Sequence, residues 1–191
     1  MPRRPSRSIN LYSLFAKNPI GVSLFIIGAI AGYFSYEQLN PQWQGSSEPS
    51  QLNVCFTPGT KCTSLIIQEI RKAKSTIRVQ AYSFTSQPIA TALIEMAQKG
   101  VKVAVLVDRS QLGTERSVVS LLKTHRIPVS VDTVPGIAHN KIIIIDNDSL
   151  ITGSFNFSSA AEDRNAENVL LIKDPVMVTH YLKNWEKRTP S

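Results

Sequence analysis

Two hydrophobic periods alternate along the middle of the chain, and each change of period marks a new element. Residues 77–82 (IRVQAY) alternate apolar and polar at every second position, as a half-buried strand does. Residues 101–107 (VKVAVLV) and 141–146 (KIIIID) are denser in β-branched side chains and predict central strands. Between them the spacing stretches to three and four. Residues 63–73 (TSLIIQEIRKA) bring Leu65, Ile66, Ile70 and Ala73 near one helical face. Residues 88–99 (PIATALIEMAQK) open on Pro88 and stop before Gly100, the asymmetry expected of helix ends.

The same reading gives a first strand over 52–56, a helix over 114–124 and a short strand over 128–131. A hairpin partner follows at 150–152, then a strand over 166–172 and a closing helix over 175–185 with Pro175 at its start. The expected fold class is α/β, a mixed β-sheet flanked by helices on both faces. No repeat of fixed period appears, so the chain holds one such unit.

The first fifty residues read differently. Residues 1–18 form a basic, acid-free leader, and residues 20–34 (IGVSLFIIGAIAGYF) run without a charge. The segment 19–36 predicts either a signal peptide or a transmembrane anchor. It is short against the ~20 residues that span a bilayer, and Ala29-Ile30-Ala31 resembles a small-residue cleavage site. In both cases the leader stays on the cytoplasmic side and the remainder crosses, which gives a periplasmic domain in a two-membrane bacterium. Residues 37–51, rich in Pro, Ser, Gln and Gly, read as a linker, and 52–188 as the folded domain.

Charge changes this picture little. The net +7 includes Arg3, Arg4, Arg7 and Lys17 of the leader; without them 17 basic residues face 14 acidic ones. That mild bias neither demands nor excludes a polyanionic partner. Cys55 and Cys62 flank a Thr-Pro-Gly turn, and an exported domain permits a disulfide between them; two small buried thiols are the alternative.

The candidate chemistry lies in one stretch. His139 and Lys141 stand two apart at the head of a strand, so imidazole and ammonium project to the same side. Ser154 and Asn156 repeat that spacing beyond the hairpin, after Gly153. An ammonium binds phosphate oxygens while a neutral imidazole attacks phosphorus or moves a proton, so the pair suits phosphate chemistry. No metal-ligand cluster accompanies it in the sequence, and no cofactor is expected.

The full spacing, His-x-Lys-x4-Asp-x6-Gly-Ser-x-Asn from His139 to Asn156, resembles the HKD motif of the phospholipase D superfamily residue for residue. The resemblance extends over residues 54–185. Residues 79–85 (VQAYSFT) are similar to the small bacterial endonucleases of that superfamily, which carry one motif per chain. It implies a phospholipase D/nuclease-like fold and a metal-independent phosphodiesterase. His139 would form a phosphohistidine intermediate while His139 of a second copy protonates the leaving oxygen. Lys141 and Asn156 would hold the phosphate oxygens, Ser154 would help place the group, and Glu167 would orient the histidine ring. Asp146 is expected to stabilise local structure.

The implied partners are a second copy of the chain and a nucleic acid substrate, single-stranded DNA before RNA, with Lys61, Arg109, Arg116 and Arg164 available as cations. The membrane is a further partner if the N-terminal segment is retained. A phospholipase acting on cardiolipin and a non-catalytic binding dimer are the alternatives.

Overall fold

A computed structural model describes residues 23, 26–32, 35 and 51–190, which fall into two units, 1–45 and 46–191. In the first, the described residues are helical, with Ile26, Ile27 and Ile30 exposed. Half of the anchor or signal segment expected at 19–36, and nearly all of the linker at 37–51, lie outside the described residues. Among the described residues no helix is long and apolar enough to cross a membrane.

The second unit is a seven-stranded mixed sheet. Its strands are β1 (Gln51–Thr57), β2 (Thr76–Ala81), β3 (Lys102–Val107), β4 (Val129–Val131), β5 (Lys141–Ile145), β6 (Ser149–Gly153) and β7 (Glu167–Lys173). They lie in the order β1-β7-β6-β5-β2-β3-β4. Only β2, β3 and β4 run parallel, and the other neighbours are antiparallel. The α/β expectation therefore holds, and each strand read from the sequence is present within one or two residues.

The helices are α1 (Cys62–Ile70), α2 (Gln87–Gln98), α3 (Val119–Thr124), α4 (Ser159–Asp163) and α5 (Pro175–Arg188), with a short 3-10 turn at Arg109–Leu112. Alternation along the strands decides how they are arranged. Ile77 and Val79 of β2, Val103 and Val105 of β3, and Ile143 and Ile145 of β5 face one way, into a core shared with α1 to α4. Ile142, Ile144 and Leu150 face the other way and meet Val178 of α5. The far end of α5 is tied down by Arg188, whose guanidinium donates to both carboxylate oxygens of buried Asp132 at 2.5 and 2.6 Å.

One helix does not cover a seven-stranded face. Leu52, Val54 and Phe56 of β1 lie on the α5 side, since Leu52 is paired with Ile172 of the α5 cluster, yet they are 62, 52 and 61% exposed. An edge strand with an apolar stripe in water is a strong departure from ordinary surface composition.

Two helices differ from the sequence reading. The helix expected over 114–124 starts only at Val119, because the Val118 amide is used on the Phe84 carbonyl and Thr114 turns its hydroxyl back to Ser110. Helix α4 was not anticipated; five residues carry too little periodicity, although Ser158 caps it by accepting from the Ala161 amide. Cys55 and Cys62 form a disulfide that fastens the end of β1 to the start of α1.

Candidate active site

The topology puts five connections at one end of the sheet: those after β1, β2, β3, β4 and β6. All five candidate residues lie on this edge. His139 and Lys141 occupy the junction of the β4–β5 loop with β5, Ser154 and Asn156 follow β6, and Glu167 opens β7.

His139 is exposed at the rim and Lys141 is buried. Lys141 Nζ lies 2.9 Å from Nδ1 of His139 and donates to the His139 carbonyl oxygen at 2.7 Å. Burial draws the Lys141 pKa down, opposed by the negative charge of Glu167. Tyr82, next after β2, completes the group: its ring centre is 4.4 Å from that of His139, and Lys141 Nζ is 5.1 Å from it.

The loop bearing His139 is held from below. Asp108, buried at the end of β3, accepts from the Ala138 amide at 2.7 Å and from the Ser110 amide at 2.9 Å. Burial works against its charge, but these hydrogen bonds and Arg109 outweigh it, and the Asp108 pKa is lowered. Gln111 performs the equivalent task for the β2–α2 loop by accepting from the Phe84 amide at 3.0 Å.

Glu167 is not on the His139 ring within the chain. Its carboxylate accepts from Ser154 Oγ at 2.5 Å and Asn165 Nδ2 at 2.9 Å, and the ring nitrogen near it in sequence expectation is met by Lys141 instead. Ser154 Oγ in turn accepts from the Asn168 amide at 3.1 Å. The Asn156 Oδ1 is buried with no protein hydrogen-bond partner, a costly arrangement unless some other group meets it. Gly153 has φ +146°, and a Cβ there would lie 2.2 Å from the Asn168 carbonyl oxygen, so the close approach of β6 to β7 requires glycine.

Asp146 stands at the opposite end of β5. It accepts from the amides of Lys74, Ser75 and Thr76 and from the Ser75 hydroxyl, at 2.8 to 3.0 Å, and pins the α1–β2 turn to the hairpin. Tyr82, Asp108 and Asn168 were not singled out from the sequence. Asp108 carried a signal, an acidic residue ending an apolar strand, whereas Tyr82 and Asn168 acquire their places only through cross-strand register.

A mixed sheet gathers imidazole, ammonium, hydroxyl, amide and carboxylate at one edge, a set suited to phosphate chemistry. The comparisons agree: residues 66–189 match the family described as "Cardiolipin synthase, PLD-like domain". A Rickettsia felis protein named "Phospholipase D" is 41% identical, each chain fully covered. The human "Mitochondrial cardiolipin hydrolase" is 31% identical over 70% of this chain and 53% of its own length. The crystal structure of "a phospholipase D family member, Nuc", from Salmonella typhimurium is 34% identical, with TM-score 0.69 over 73% of this chain and 94% of that one. The chain belongs to the phospholipase D superfamily, and it is a phosphodiesterase of that superfamily.

Proposed function

We propose that the protein is a metal-independent nuclease that cleaves single-stranded DNA in preference to RNA, through a phosphohistidine formed on His139 in a site completed by a second copy of the chain. The observation that carries the nucleic acid reading is the position of the exposed cations. Lys61, Arg109, Arg116 and Arg164 stand on three connections, those after β1, β3 and β6, all at the sheet edge that holds His139. A polyanion crossing that edge meets cations on both sides of the imidazole, and its affinity should fall steeply with salt.

In the proposed reaction His139 Nε2 attacks phosphorus, a P–N bond forms and the P–O bond to the leaving group breaks. The leaving oxygen takes a proton from the imidazole of the other copy, which then deprotonates the water that hydrolyses the intermediate. Lys141 offsets charge on the non-bridging oxygens. Two histidines are needed and each chain supplies one at this edge. The bare stripe of Leu52, Val54 and Phe56 gives self-association an apolar face, and Phe56 pairs with Asn168, which borders the site.

Export to the periplasm, by an anchor or a cleaved signal, accords with the Cys55–Cys62 disulfide, a bond that persists in oxidising compartments. The second reading is a phospholipid hydrolase, favoured by relatives named phospholipase D and mitochondrial cardiolipin hydrolase.

The deciding experiment incubates the protein with labelled single-stranded DNA in excess chelator, beside its His139→Ala variant and a parallel cardiolipin assay. Cleavage of DNA by the wild type alone supports the nuclease. Hydrolysed cardiolipin with intact DNA moves the assignment to the lipid, and inactivity on both leaves a binding dimer.

A further inference from the structure

The main chain on both sides of His139 is anchored to neighbouring strands. The amide of Tyr82, the residue after β2, donates to the Asn140 carbonyl at 3.0 Å. The amide of Ala138 donates to Asp108 Oδ2 at 2.7 Å. These two anchors are themselves joined, because the Asp108 amide donates to the Ala81 carbonyl at 3.1 Å. His139 thus sits in a closed circuit that runs from Ala138 through Asp108, Ala81 and Tyr82 to Asn140, and every bond of it lies within one chain.

Two of the three bonds join main chain to main chain and are indifferent to the side chains present. The third depends on Asp108. Its Oδ1 is taken by the Ser110 amide at 2.9 Å, which caps the 3-10 turn at Arg109–Leu112, so Oδ2 serves Ala138. Asparagine or serine caps a turn as well, without the cost of a buried charge. Asp108 is 2% exposed and, among the described residues, makes no ion pair. Capping alone does not account for it, whereas two separate amides to satisfy call for two acceptor oxygens. Arg109 strengthens the hold by donating to the Val134 carbonyl, so consecutive residues after β3 grip both ends of the stretch from Val134 to Ala138.

We propose that Asp108 is a positioning residue for the reaction: through the Ala138 amide it fixes the backbone of His139, and with it the approach of the imidazole to phosphorus. This rests on the reading of His139 as the reacting group. Asparagine cannot stand in, since it has a single acceptor oxygen and its NH2 would face the second N–H. Misplacing a reacting group by about 1 Å costs on the order of a hundred-fold in rate.

The test uses the full-length protein and bis-p-nitrophenyl phosphate, a small diester that reports the chemistry whether the natural substrate is nucleic acid or lipid. Asp108→Asn should lower kcat about 30- to 100-fold with KM within about three-fold. Ile145→Ala, a core truncation at the opposite end of β5, is the stability control. It should lower the urea midpoint at least as far and leave kcat within about two-fold of wild type. Hydrogen exchange gives a reading independent of turnover: peptides covering the β4–β5 loop should exchange slowly in wild type and in Ile145→Ala, and fast in Asp108→Asn.

Equal loss of kcat in the two variants, or a wild-type loop that exchanges as freely as an unstructured peptide, would overturn the proposal. Wild-type kcat in Asp108→Asn beside an inactive His139→Ala sinks the positioning role alone. Should Asp108→Asn fail to fold, Asp108→Ser keeps a cap for Ser110 but is one bond too short for Ala138, and the same outcomes decide. A His139→Ala protein that still hydrolyses the diester refutes the reading of His139, and the catalytic role of Asp108 falls with it whatever the exchange shows.

Discussion

Gly153→Ala is the sharpest perturbation that this architecture offers. The new Cβ would lie 2.2 Å from the Asn168 carbonyl oxygen and 2.9 Å from Asn168 Oδ1. A comfortable carbon–oxygen contact needs about 3.3 Å, so β7 must retreat by about 1 Å at the point where β6 ends. That carbonyl accepts from the Ser154 amide at 3.2 Å and the Phe155 amide at 3.4 Å, and the retreat loosens both bonds. Each is worth about 0.5–1.5 kcal/mol, and an alanine forced to a glycine-like φ costs about 1–3 kcal/mol more. The expected loss of stability is about 2–6 kcal/mol, read by urea unfolding followed by circular dichroism. Gly136→Ala is the matched control: nothing lies within 4 Å of its added Cβ and its φ is not in the left-handed range. The reasoning is refuted if Gly153→Ala unfolds with the control, within about 0.5 kcal/mol, since surface substitutions stay inside that range.

Three further outcomes are expected. Asp146→Asn should destabilise by about 1–2 kcal/mol at neutral pH, because a charged acceptor of several hydrogen bonds is replaced by a neutral one. Burial raises the Asp146 pKa, but bonds from Thr76, Lys74 and Ser75 outweigh it and the net shift is downward. Its contribution is therefore complete above the ordinary carboxylate pKa of about 3.9 and lost as pH falls through the lower folded value, so the gap between wild type and variant should close in acid. Arg188→Gln leaves the Asp132 carboxylate buried with a weaker partner, and calorimetry should record a loss of about 3–5 kcal/mol if the charge stays uncompensated. Phe56→Glu should shift sedimentation from dimer to monomer and abolish turnover while leaving the fold intact, since Phe56 is already in water; a dimer of unchanged strength would remove β1 from the interface.

The sheet was legible because its strands advertise themselves. Runs such as KIIIID and VKVAVLV are too apolar and too β-branched to be anything but inner strands, and the parity of His139 with Lys141 followed from strand geometry alone. Helix boundaries were less legible where tertiary bonds intervene, as when the Val118 amide is claimed by Phe84. Within the site, the spacing from His139 to Asn156 foretold which candidate residues share one edge but not their pairings. Glu167 binds Ser154 and Asn165, and Asn156 turns its oxygen inward, because these choices depend on how β7 meets β6 across Gly153. Tyr82 and Asp108 were hidden for the same reason: each acts on a residue that is distant in sequence.

The position of β1 has a consequence for the order in which the chain can assemble. Among the described residues this first strand of the domain pairs only with β7, and Thr57 reaches the carbonyl of Ala161, 104 residues away. Closing so long a loop is slow and must wait until almost the whole domain is present, whereas the parallel trio β2, β3 and β4 is built from near neighbours. Cys55 and Cys62 are only seven residues apart, so their bond can form before β7 exists. Oxidation would then tether the waiting strand to α1 beside the growing core, shorten its search for β7 and limit the time its bare apolar edge is open to other chains.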